Sequence, residues 1–91
     1  MKKQIQAHLN ELKASQELYG GVYIAIMPND YHLYDLEVEV DPGTIGFTVQ
    51  TTQRDVAGAR KCADKLEMAL KGVGIHVFPD RDSWEGSWAE I

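Results

Sequence analysis

The sequence predicts an α+β domain in which a three-stranded antiparallel sheet is flanked on one face by two helices, in the order α-β-β-β-α. A fourth short strand and a tryptophan-bearing C-terminal tail follow. Three observations carry this. Apolar and polar residues alternate through 35–40 and 45–50, on either side of an Asp-Pro-Gly-Thr turn, which is the two-residue period of a half-buried strand. On both sides of that region apolar residues recur at three- and four-residue steps and run into glycine, the period and stop of an amphipathic helix. With 91 residues the chain suffices for one small core, burying roughly 60 to 70% of its unfolded surface.

Taken in order, Ile5, Leu9 and Leu12 mark a first helix from about Lys3 to Leu18, stopped by Gly20-Gly21. Val22-Tyr23-Ile24-Ala25-Ile26-Met27 is a continuous apolar run rich in β-branched and aromatic residues, closed by Pro28-Asn29-Asp30, and reads as a buried strand. Leu36, Val38 and Val40 alternate with acids, and Ile45, Phe47 and Val49 with Gly46, Thr48 and Gln50. A two-residue Pro42-Gly43 loop suits the turn chemistry between them. It sets Val40 opposite Ile45, Val38 opposite Phe47 and Leu36 opposite Val49, so that every apolar side chain falls on one face. Thr52 is placed to cap a second helix carrying Val56, Ala59, Ala63, Leu66 and Leu70 as far as Lys71-Gly72. Ile75-His76-Val77-Phe78 reads as the fourth strand, stopped by Pro79, and Asp82 or Ser83 is placed to cap a last turn bearing Trp84, Trp88 and Ile91.

No linker or repeat divides the chain, so residues 1–91 are expected to form one domain, with a core over about 3–79 and a tail over 80–91. Apolar residues at 44% and charged residues at 25% are ordinary for a globular protein. Met1-Lys2-Lys3-Gln4 leads into a polar segment with no apolar signal core, and no apolar run approaches membrane-spanning length, which predicts an intracellular, cytoplasmic protein without membrane contact. Cys62 is the single cysteine, which excludes an internal disulfide and a cysteine-based zinc site. The net charge of −5 is segregated. Between Lys13 and Arg54 there is no basic residue, while Glu17, Asp30, Asp35, Glu37, Glu39 and Asp41 all fall there. Residues 54–71 hold five basic and three acidic side chains, and from Gly72 onward the charge returns to −3. Such asymmetry selects partners by charge.

Several short motifs resemble the double-stranded RNA-binding domain over about residues 4–71. Ile5-Gln6-Ala7-His8-Leu9-Asn10-Glu11-Leu12 is similar to that family's first-helix pattern, in which a Leu-Asn-Glu core presents the Glu to the RNA minor groove. His32, after the first strand, is placed like the family's loop histidine, and Thr52-Gln53-Arg54 with the Ala-rich stretch beyond resembles the basic opening of its second helix. The resemblance implies the α-β-β-β-α fold and RNA contact through Glu11, His32 and Arg54. Where the family carries three lysines, this chain has Gln53, Arg54 and Ala57, and one positive charge remains. Phosphate contact supplies most of the affinity in such recognition, so nucleic-acid binding is disfavoured by charge.

Asp35, Glu37, Glu39 and Asp41 alternate along one predicted strand, about 6.6 to 6.8 Å apart on the side away from the core. One reading is a solubilising outer face, since antiparallel sheets commonly wet one side. The other is a docking row for a basic partner, regularly spaced carboxylates being able to imitate a phosphate backbone. Trp84 and Trp88, four apart, suit either closure of the core or anchoring of a partner. A catalytic carboxylate pair needs two acids in different environments at a cleft, whereas these acids share a similar one. His8, His32 and His76 are dispersed, Asp80, Asp82 and Glu85 lack the spacing of a calcium loop, and Cys62 sits beside an apolar helical stripe. No catalytic residue, no cofactor and no metal are therefore expected.

The expectation is a small acidic, non-enzymatic binding protein docking on a basic protein partner, with a nucleic-acid-handling target as its most specific form. A compact acidic chain of this kind resembles inhibitors of phage or mobile-element type. Two other readings stand beside it: a specialised double-stranded RNA-binding module, and a self-associating domain in which the extra strand or an exposed sheet edge pairs two copies as a homodimer.

Overall fold

The computed structural model describes residues 1–41 and 43–78. Helices α1 (Lys2–Ala7) and α2 (Leu9–Tyr19) precede strands β1 (Tyr23–Pro28), β2 (Tyr34–Asp41) and β3 (Thr44–Gln50), and helix α3 (Val56–Gly72) follows. Among the described residues the strands form one antiparallel sheet in the order β1-β2-β3. The α+β class with a three-stranded antiparallel sheet is thus as the sequence predicts. Val38 lies opposite Ile24 on one side and Phe47 on the other, and Leu36 opposite Ile26 and Val49. Directly opposed residues share a face. Ile5, Leu12, Leu66 and Leu70 join Leu36, Val38 and Phe47 in one buried cluster, so the helices cover that face.

The first helix departs from its predicted continuity. It breaks at His8, whose φ of −112° and ψ of 14° are non-helical. The His8 ring stacks on Phe47, with centroids 5.1 Å apart and planes 17° from parallel. Ile5 and Leu12 on either side of the break stay buried. Gly20 ends α2 with φ at 84°, its N–H donating to the Gln16 carbonyl, as glycine C-caps do.

The hairpin register holds for Leu36 opposite Val49 and Val38 opposite Phe47, then shifts. Ile45 faces Glu39 instead of Val40, leaving Gly46 and Val40 as the extra residues of two opposed irregularities. Glycine makes this approach feasible: a Cβ at Gly46 would stand 2.7 Å from Val40 Cγ1. Val40 keeps its place in the core while Ile45 is left 47% exposed. The expectation that all apolar residues of the hairpin share one face fails at Ile45 for this reason.

The last helix starts later than predicted. Thr52 does not cap it; Asp55 does, its Oδ1 accepting from Gly58 N–H at 2.6 Å. The preceding threonine is held to the sheet, because Thr51 donates from both N–H (3.0 Å) and Oγ1 (2.7 Å) to the Tyr34 carbonyl. The chain therefore stays extended past β3, and Val56, expected in the core, is half exposed. Residues 75–78 form a single parallel bridge, Val22 to Val77, where the sequence predicts a strand. Val22 N–H donates to the His76 carbonyl at 2.9 Å and Phe78 N–H to the Val22 carbonyl at 2.8 Å. Trp84, Trp88 and the predicted last turn lie outside the described residues.

Candidate interaction surfaces

Strand β2 carries the acids. Asp35, Glu37 and Glu39 alternate with buried Leu36 and Val38, which turns them to the face opposite the helices. Their cross-strand neighbours are Met27 and Gln50 for Asp35, Ala25 and Thr48 for Glu37, and Tyr23 and Ile45 for Glu39; Asp41 faces Thr44. None of β1, β2 and β3 contains a lysine or arginine. The four acids differ in exposure. Asp35, Glu37 and Asp41 are half-buried, and Glu39, between two bulky neighbours, is 8% exposed. Asp35 accepts from Asn29 Nδ2 at 3.1 Å. Glu39 also has interactions of its own. The uniform, solvated row expected from the alternation is therefore a graded one, most open at Asp35, Glu37 and Asp41.

Glu11, His32 and Arg54 are all exposed and come from three places. Glu11 lies on α2, with its Oε1 3.5 Å from His8 Nδ1. His32 occupies the β1–β2 loop with φ at 60°, a conformation uncommon outside glycine but one that histidine, like asparagine and aspartate, adopts more readily than other residues. That loop is built by Asn29, whose Oδ1 accepts from the N–H groups of Tyr31 and Leu33. Arg54 precedes the Asp55 cap and so lies before α3. The Thr51 to Tyr34 bonds bring the approach to α3 beside the start of β2, which puts His32 and Arg54 at one end of the sheet. Among the described residues no hydrogen bond or ion pair joins these three side chains to one another. Trp84 and Trp88 lie outside the described residues.

One feature escaped the sequence reading, and a second was foreseen only as an unspecified sheet edge. A groove of about 560 Å³ runs between α3 and β1, lined among others by Ile24, Ile26, Tyr34, Arg60, Asp64 and Glu67. Its signal is the 60, 64, 67 spacing on α3, which flanks the apolar stripe. The second is the outer edge of β3, which among the described residues pairs with no further strand; the absence of charge and proline from residues 44–50 marks it in the sequence. Among the described residues no group of three or more His, Cys, Asp or Glu is arranged to hold a metal ion, and no helix is long and apolar enough to cross a membrane.

The fold and surfaces define a small α+β domain with an acidic sheet face. Comparison with family models, with curated proteins and with solved structures returns no match.

Proposed function

We propose that this chain is a non-enzymatic binding module that docks its acidic sheet face on a basic protein partner, of the kind that itself handles nucleic acid. The observation that carries this reading is the placement of Asp35, Glu37, Glu39 and Asp41 on one strand of a sheet with no lysine or arginine on any strand. With no lysine or arginine on the strands beside them, the carboxylates of Asp35, Glu37 and Asp41 add their fields, which steers an oppositely charged partner and sets its register. Half-burial of Asp35, Glu37 and Asp41 favours the same reading, since part of their hydration is already lost before a partner arrives.

The test is charge reversal at the open positions. Glu37→Lys with Asp41→Lys avoids buried Glu39 and the Asp35–Asn29 bond. Partners captured by the wild-type chain should be lost by the double variant and released as salt rises. Capture that is indifferent to both reversal and salt would sink the reading.

The double-stranded RNA-binding alternative is favoured by one observation, the shared end of the sheet on which the His32 loop and the Arg54 segment lie. Anisotropy of labelled duplex RNA and DNA, measured from low salt upward, separates the two. Steeply salt-dependent RNA binding, weakened by Arg54→Ala, would promote this alternative.

A further inference from the structure

We propose that the outer edge of β3 is a self-association surface, through which two copies of this chain pair β3 to β3 in antiparallel fashion and extend the sheet. The backbone shows which groups are available. Thr51 N–H donates to Tyr34, so residue 51 belongs to a hydrogen-bonded pair with β2. Pairs alternate along an antiparallel ladder, so Val49 and Phe47 also face β2 while Gln50 and Thr48 turn their N–H and C=O groups outward. Gln4 Nε2, 2.8 Å from the Thr48 carbonyl, agrees with this assignment. Among the described residues it is the one hydrogen bond to those outward groups.

Edges are ordinarily blunted by lysine, proline or charge. β3, Thr-Ile-Gly-Phe-Thr-Val-Gln, has none of these. Its one defence within the strand is the irregularity at Gly46, which leaves the stretch from Phe47 onward regular. Charge decides in favour of a second copy. A two-fold axis at Val49 pairs Thr48 of each copy with Gln50 of the other, so no like charges meet, whereas a strand such as β2 could not pair with itself. The two acidic strands would then lie three strand spacings apart, about 14 Å. That exceeds the Debye length of about 8 Å at physiological salt, so their mutual repulsion is largely screened. The inference stands independently of the partner proposed above.

Sedimentation equilibrium on the full chain tests it together with amide exchange. The wild type should form a dimer as concentration rises, with the Thr48 and Gln50 amides passing from fast to protected exchange. Gln50→Pro removes an outward N–H that makes no hydrogen bond among the described residues, a position where an edge strand tolerates proline. It should weaken dimerisation by roughly tenfold or more, because symmetry removes the bond twice. A wild type that stays monomeric overturns the proposal, even if the edge pairs with another protein's strand. So does a dimer that Gln50→Pro leaves intact, or one whose Thr48 and Gln50 amides exchange at the same rate at every concentration. The exchange readout on the wild type decides the matter if the proline variant fails to fold.

Discussion

The two edges of the sheet are finished in opposite ways. At the β1 edge the chain returns after α3 and lays Ile75 to Phe78 alongside Val22, with backbone bonds of 2.9 and 2.8 Å. Val22, Ile75 and Val77 are all buried there. Side chains of α2 fasten the seam: Ser15 Oγ donates to the Gly21 carbonyl at 2.7 Å, and Gln16 Oε1 accepts from His76 N–H at 2.7 Å. Among the described residues the β3 edge receives one glutamine side chain. One edge is therefore part of the fold, and the other is a surface with unspent hydrogen-bonding capacity.

The largest effect is expected where the closed edge is tightest. Gly21 passes against the His76 backbone, and a Cβ there would stand 2.5 Å from the His76 carbonyl oxygen. Backbone cannot move aside as a flexible side-chain tip can. Gly21→Ala should therefore destabilise by about 2 to 3 kcal/mol, through strain and loss of the seam. Urea denaturation measures the total, and faster exchange at the Val22 and Phe78 amides would assign the loss to this edge. Unchanged stability would mean that the seam contributes little and that the contrast between the edges is only geometric.

A smaller loss is expected at Gly46, beside the open edge. The added methyl meets Val40 Cγ1 at 2.7 Å and Cγ2 at 3.3 Å, a side chain with limited rotamer freedom. Gly46→Ala should cost about 1 to 2 kcal/mol by overpacking. Val40→Ala in the same chain should relieve the clash, so the double variant loses less than the sum of the singles. Additive losses would mean that Val40 does not dictate the glycine.

These glycines also mark how far the fold was legible. Gly20-Gly21 reads in sequence as a helix stop, and Gly20 does end α2; that Gly21 is needed for the approach of residue 76 is a long-range fact that no local pattern carries. The period-two alternation determines β2, β3 and the Val38–Phe47 pairing, because a one-residue slip there would expose the whole apolar set, while β1 is legible as a continuous apolar run. It fails at Ile45, where an alternating pattern looks the same with or without a bulge. Thr52 fits a capping pattern, but the Thr51 bonds to Tyr34 keep the chain extended and hand the cap to Asp55. Of the candidate site, alternation places Asp35, Glu37 and Glu39 on one face. The burial of Glu39 depends on Tyr23 and Ile45 beside it, and those neighbours follow from register rather than from composition.

The smallest effect on stability, and the sharpest on the comparison, is expected at Gln4. Its side chain is half-buried and, among the described residues, its one hydrogen bond is to the Thr48 carbonyl, an acceptor that water can also satisfy at an edge. Gln4→Ala should shift stability by no more than about 0.5 kcal/mol. If the open edge pairs with a second copy, Gln4 competes with the incoming strand for that carbonyl, so its removal should strengthen dimerisation by a few-fold while leaving the denaturation midpoint of dilute protein almost unmoved. Sedimentation of the variant beside the wild type reads this directly. Weaker association in the variant would show instead that Gln4 shapes β3 for its partner, making the glutamine part of the interface and no longer a guard on it.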